Sequence, residues 1–177
     1  MAKLVSTTYG DALFEVALED GAIDTLTEEI KTMTQILHEN EDLSRIISHP
    51  KVSRNEKIQL IERIFKDYFS NSLVGFLVLI IEKGRYEELT SIFEYYTDRV
   101  REYKKIGVVK VTSALKLSPE QQQTIERKLL ATTQYETLEV QYSVDKTILG
   151  GLIIRIKDRV VDNSIRSQIK AMTKAVV

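Results

Sequence analysis

The sequence predicts an α+β fold, mostly helical: an N-terminal six-helix bundle followed by a small β-sheet domain with two helices. Three observations carry this. Six consecutive segments up to residue 105 repeat their apolar residues at helical spacing. After Gly107 the pattern changes to β-branched runs and strict alternation. The charge changes sign at the same place: residues 1–105 hold 14 Lys+Arg against 19 Asp+Glu, and residues 106–177 hold 11 against 7. The predicted domains are therefore 1–105 and 106–177.

The first helix is expected over residues 7–18, with Tyr9, Leu13, Val16 and Ala17 on one face. Asp20-Gly21 ends it, glycine supplying a left-handed cap. The second runs over 23–37, where Ile23, Leu26, Ile30, Met33 and Leu37 form a narrow seam. A short third helix over 41–48 presents Leu43, Ile46 and Ile47. Pro50 blocks its continuation and biases His49 away from helix. Ser53-Arg54-Asn55-Glu56 is a capping box that opens the fourth helix, worth about 1 kcal/mol. There Ile58, Ile61 and Phe65 share a face, with Leu60, Ile64 and Tyr68 beside it. The fifth, over 71–83, is apolar all round, from Leu73 to Ile81. Such a helix is buried on all sides or partly covered by a partner. Gly84 stops it. The sixth, over 86–105, spaces Tyr86, Leu89, Phe93, Tyr96, Val100 and Tyr103 as a core stripe, with Gly107 as the stop.

Val108, Val109 and Val111 then read as a strand. Ser118-Pro119-Glu120-Gln121 opens a helix with Ser as N-cap, Pro at the first helical position and Gln at the third. Its face is Ile125, Leu129 and Leu130. Leu138, Val140 and Tyr142 alternate with Glu139 and Gln141 on a second strand. Gly150-Gly151 precedes a third, aliphatic strand, and a last helix carries Ile165, Ile169, Met172 and Val176. The expected order is β-α-β-β-α.

With 43% hydrophobic residues the chain can bury a core, and without cysteine it has no disulfide or thiolate chemistry. The longest apolar run, over 73–81, is too short to span a bilayer. No apolar leader core opens the chain. His38 falls in the last turn of a helix, where a cation is favoured, and His49 in a loop. Neither has a ligand or triad pattern around it. Gly150-Gly151 precedes a strand rather than a helix, which fails both glycine-rich phosphate motifs; a bulge or a close backbone approach fits instead. Arg155, Lys157, Arg159 and Arg166 are read as the solvated face of a half-buried strand. The competing reading is a two-domain regulatory or nucleic-acid-binding protein using this basic half. Single-strand binders add aromatic stacking platforms, and residues 106–177 hold only Tyr135 and Tyr142. No cofactor, metal or catalytic residue is expected.

The stretch Leu149-Gly150-Gly151-Leu152-Ile153-Ile154, a turn at Lys157-Asp158, then Asp162-Asn163-Ser164-Ile165-Arg166 resembles the C-terminal signature of the delta-subunit family of bacterial F-type ATP synthases. The mitochondrial relative is the oligomycin-sensitivity-conferring protein. Tyr9, Ala12-Leu13 and Ala17 match the family's N-terminal pattern, with Gly10 in place of its usual Ala. His49-Pro50 followed by Lys57 and Leu60 matches the region opening the fourth helix. Two departures stand out. Lys157 occupies a turn that often contains Gly, and Asn163 replaces the Gly of Asp-Gly-Ser, where Asn tolerates the left-handed region.

The resemblance implies a non-enzymatic stator component that links the catalytic head to the peripheral stalk. It implies that the helical domain binds the N-terminal helix of an alpha subunit in a groove between its first and fifth helices. On this sequence the candidate residues are Tyr9, Ala12, Leu13, Val16, Ala17, Phe76, Leu77 and Ile80. Gly150, Gly151, Asp162, Ser164 and Arg166 mark the small domain, which the resemblance assigns to the C-terminal end of the b subunits. It also implies a place at the cytoplasmic face of the membrane, held through the complex alone, with no nucleic-acid partner.

Overall fold

A computed structural model describes residues 2–175, with Val176 outside the described residues. The chain divides into two compact units, Met1–Val100 and Arg101–Val177. Among the described residues it holds eight α-helices and one four-stranded sheet.

The helices of the first part are α1 (Ala2–Glu19), α2 (Ile23–Glu39), α3 (Glu41–Ser48), α4 (Arg54–Phe65), α5 (Asn71–Glu82) and α6 (Leu89–Tyr103). Their boundaries follow local chemistry. Gly21 at φ +62° and Gly84 at φ +64° turn the chain after α1 and α5, in a region that costs a residue with a Cβ. The Ser53 hydroxyl accepts the Glu56 N–H while the Glu56 carboxylate accepts the Ser53 N–H, so the expected capping box is formed. Residues Tyr86–Glu88 form a 3-10 turn before α6 rather than its first α-helical turn.

All six helices contribute to one buried cluster. The α2 seam is buried at Ile23, Leu26, Ile30 and Met33. The α6 stripe is buried from Leu89 to Val100, but Tyr103 is 56% exposed. The first unit ends at Val100, so its core has no use for the next turn of the stripe.

The second unit contains β1 (Ile106–Ser113), α7 (Pro119–Thr132), β2 (Thr137–Val144), β3 (Leu152–Ile156), β4 (Arg159–Asp162) and α8 (Ile165–Ala175). The sheet order is β2-β1-β3-β4. β1 runs parallel to β2 and antiparallel to β3, and β3 pairs antiparallel with β4. Four strands form where three were expected. Lys157 takes φ +48° and closes a hairpin that lacks the usual turn glycine. Gly107 is not a helix stop. It lies within β1 opposite Leu138, and the left-handed residue before β1 is Lys105, at φ +51°. A Cβ at Gly107 would stand 2.5 Å from the Tyr135 ring, so close packing explains this glycine. Ser118 and Gln121 form the second expected capping box.

Candidate functional site

Two neighbours, α6 and α2, fix the geometry around α1 and α5. On one flank α1 is held by α6. The Tyr95 hydroxyl donates to Asp11 Oδ1 at 3.1 Å, Arg99 Nε lies 3.0 Å from the same oxygen, and Ser6 and Ser91 hydroxyls meet at 3.2 Å. A Cβ on Gly10 would come 2.4 Å from the Tyr95 ring. Glycine at position 10 therefore accommodates the Tyr95 ring. Leu13 and Ala17 point into the core, at 2% and 1% exposure.

A helix advances 100° per residue, so Tyr9, Ala12, Val16 and Asp20 fall on the other flank of α1. There the Ser72 hydroxyl donates to Asp20 Oδ2 at 3.1 Å, and α1 contacts α5. The start of α5 is also tied to α2: the Ser70 N–H and hydroxyl donate to the two Glu29 carboxylate oxygens at 2.9 and 2.6 Å. Ser70 in turn caps α5 through the Leu73 N–H.

The candidate residues fall into two groups. Leu13, Ala17, Phe76, Leu77 and Ile80 are core residues. Tyr9 is half-buried, and Ala12 and Val16 are exposed. On α5 the outward row is Ser72, Gly75, Leu79 and Glu82, with Val78 half-buried beside it. Sequence periodicity missed Gly75 and Leu79 because α5 is apolar on every side. The polar ends of that row, Ser72 and Glu82, are the signal that could have found it. A Cβ at Gly75 would meet nothing within 4 Å. Glycine inside a helix costs about 1 kcal/mol relative to alanine, and no contact within the chain accounts for it. The exposed surface here carries Glu15, Glu19 and Glu82.

In the second unit, Gly151 holds φ +81°, and a Cβ there would stand 2.1 Å from the Asn163 carbonyl oxygen. The glycine is required by backbone approach, as expected from its place before a strand. Asn163 itself is not left-handed; Leu149, at φ +66°, is. The Asp162 carboxylate accepts the Ser164 N–H at 2.9 Å and the Ser167 hydroxyl at 2.6 Å. Those bonds, Ser167's first, hold its pKa below the ordinary carboxylate value. Ser164 is buried and accepts the Ser167 N–H, capping α8. Arg166 Nη1 donates to the Thr147 hydroxyl at 3.3 Å. Asp162, Ser164 and Arg166 thus hold the start of α8.

The basic residues do not make one face. Arg155 pairs across the hairpin with Val160, and Arg159 with Ile156, so the two arginines emerge on opposite sides of the sheet. Lys157 Nζ lies 2.9 Å from Glu102 Oε1. His38 lines a cavity of about 450 Å³ with Arg45, Tyr86 and Glu87. His49 sits at the end of α3, where its Nδ1 accepts the Lys51 N–H. Among the described residues no group of His, Asp and Glu is arranged to hold a metal ion.

Comparison with known proteins gives a consistent result. The family model described as ATP synthase delta (OSCP) subunit matches residues 5–176. The chain is 51% identical to an ATP synthase subunit delta from Lachnoclostridium phytofermentans, over 98% of this chain and 96% of the relative. It is 32% identical to one from Brevibacillus brevis, over 98% and 99%. Its fold is similar to a chain in the mitochondrial ATP synthase hexamer of Toxoplasma gondii. That match has a TM-score of 0.72 and 16% identity, over 97% of this chain and 96% of the other.

Proposed function

The chain belongs to the ATP synthase delta (OSCP) subunit family, and on that premise we propose how its two units share the work. It is a non-catalytic stator component of the ATP synthase, linking the catalytic head to the peripheral stalk so that rotation is coupled to ATP synthesis. Its partners lie within that membrane-associated complex. Among the described residues no helix is long and apolar enough to cross a membrane, so association through the complex fits. The chain then sits at the cytoplasmic face of the membrane.

In this reading α1 to α6 act as one six-helix bundle over residues 1–105, and the groove between α1 and α5 takes the N-terminal helix of an alpha subunit. The small domain over 106–177 takes the C-terminal end of the b subunits. The observation that carries the groove is Gly75. It is exposed on α5, weakens the isolated helix and leaves open space where a side chain would stand. A partner backbone approaching closely accounts for all three. Ala12 and Val16 on α1 and Leu79 on α5 supply apolar contacts beside it, in the manner of an amphipathic helix laid into a groove. The buried candidates Leu13, Ala17, Phe76, Leu77 and Ile80 shape the groove from beneath.

The test is binding of a synthetic alpha-subunit N-terminal peptide to the full chain by calorimetry. Ala12→Trp and Leu79→Asp are expected to weaken it by about tenfold or more each, with unchanged far-ultraviolet circular dichroism. Wild-type affinity in both variants removes the groove assignment. Phe76→Asp is uninformative about contact, because Phe76 is 8% exposed and packs 6.3 Å from the Phe93 ring.

A further inference from the structure

The second unit displays two leucines that its own core does not use. Leu115 is 73% exposed and Leu149 is 65% exposed. Both line one concavity of about 570 Å³, which also includes Gly150, Gly151, Lys116 and Lys146. Leu149 adopts φ 66° and ψ −29°, a left-handed conformation that crowds a residue bearing a Cβ. Held there, its side chain stands out from the fold with no packing gain in the free chain. Strain kept alongside exposed apolar surface points to a contact made elsewhere.

The concavity extends further. A second one, of about 520 Å³, shares Leu117, Gln121 and Gly151 with the first and continues to Ile125 and Leu152. The two form one continuous groove, whose second part also carries Glu120 and Thr124 beside its apolar residues. Its first part is flanked by two lysines and no carboxylate. An occupant must therefore offer apolar side chains along the groove and negative charge beside Lys116 and Lys146.

We infer that this groove holds the acidic, apolar end of a partner helix, with a carboxylate between Lys116 and Lys146 and apolar side chains against Leu115 and Leu149. The inference rests on the reading of the small domain as the part that takes the b subunits, and it names the surface they use. Other exposed apolar residues of this unit include the α8 stripe Ile165, Ile169 and Met172 and the strand residues Val144, Val160 and Val161. None of these lines the concavity with paired lysines, so the groove is the assigned site.

The experiment uses the full chain and a labelled synthetic peptide of the C-terminal segment of the b subunit, followed by fluorescence anisotropy. The double variant Leu115→Ser/Leu149→Ser and the double variant Lys116→Glu/Lys146→Glu are each expected to bind about tenfold more weakly or worse. The lysine variant also flattens the salt dependence. Leu149→Gly relieves the backbone while removing the side chain; it is expected to melt no lower than wild type yet bind several-fold more weakly. Ile169→Ser is expected to bind as wild type. Wild-type affinity in both groove variants, with loss in Ile169→Ser, overturns the groove and moves the stalk contact to α8. Absence of peptide binding to the unaltered chain overturns the stalk reading together with the groove.

Discussion

The Ser72 hydroxyl donates a 3.1 Å hydrogen bond to Asp20 Oδ2, joining the turn after α1 to the first turn of α5. With the end of one helix at the start of the other, the pair runs antiparallel. Counting back along α1 and forward along α5 then brings Val16 toward Gly75 and Ala12 toward Leu79. The proposed groove follows from this register.

Gly75→Ala adds a Cβ where nothing lies within 4 Å. It is expected to raise stability by up to about 1 kcal/mol, measured by urea unfolding. Gly75→Leu is expected to fold equally well but weaken alpha-peptide binding by about tenfold or more, because a bulky side chain fills the space a partner backbone needs. Unchanged binding in Gly75→Leu separates this glycine from the interface.

Gly151→Ala places a Cβ against the Asn163 carbonyl oxygen at a positive φ. Both faults are in backbone, which cannot swing aside, and a loss of about 2–4 kcal/mol is expected. Hydrogen exchange is expected to show the loss in residues of β3 and α8 while the amides of α2 and α5 stay protected. Gly150→Ala is expected to cost less, since its Cβ would meet the Ile165 Cδ1, the end of a flexible side chain.

The two capping boxes offer matched probes. Ser53→Ala and Ser118→Ala each remove the acceptor of one helix-opening N–H. Each is expected to lower stability by about 1 kcal/mol, read by chemical denaturation. A loss below a few tenths in both would show that the caps are replaced by water.

Acid stability carries the Asp162 contact. Hydrogen bonds from Ser167 and Ser164 lower its folded pKa, so its contribution is present above the unfolded value near 4 and is lost as pH falls through the lower folded value. Asp145, lowered by Thr147, acts in the same sense. Melting temperature is therefore expected to fall more steeply with acid in wild type than in Asp162→Asn. At alkaline pH, burial and then Glu126 push Tyr142 up to about 12. Its contribution is complete below the ordinary tyrosine value near 10 and is lost progressively as pH rises from there through about 12. Burial raises Tyr86 and Tyr96 as well, so the difference in tyrosinate absorbance between wild type and Glu126→Gln isolates Tyr142, which is expected to titrate earlier in the variant.

Much of the fold was legible because its punctuation is local. Ser53, Ser118, Gly21 and Gly84 act within a few residues of chain, and each does what its neighbours dictate. The turn at Lys157-Asp158 was legible, but the strand β4 after it was not, because its four residues are all exposed and show no buried face. Gly107 was misread because its reason, the Tyr135 ring, lies 28 residues away in sequence. The candidate groove was half legible. Periodicity on α1 separates Leu13 from Val16, but on α5 every row is apolar at its centre. Only packing tells Phe76, Leu77 and Ile80 in the core from Gly75 and Leu79 at the surface.

The central claim is that one chain joins head to stalk through two separate surfaces. It is tested most directly by adding the purified chain to catalytic heads and membranes stripped of this subunit, and measuring ATP-driven ion pumping. The wild-type chain is expected to restore head retention and pumping. Leu79→Asp and Leu115→Ser/Leu149→Ser are each expected to fail to do so while ATP hydrolysis by the free heads is unaffected. Full restoration of pumping by both variants would show that these two surfaces do not join head to stalk.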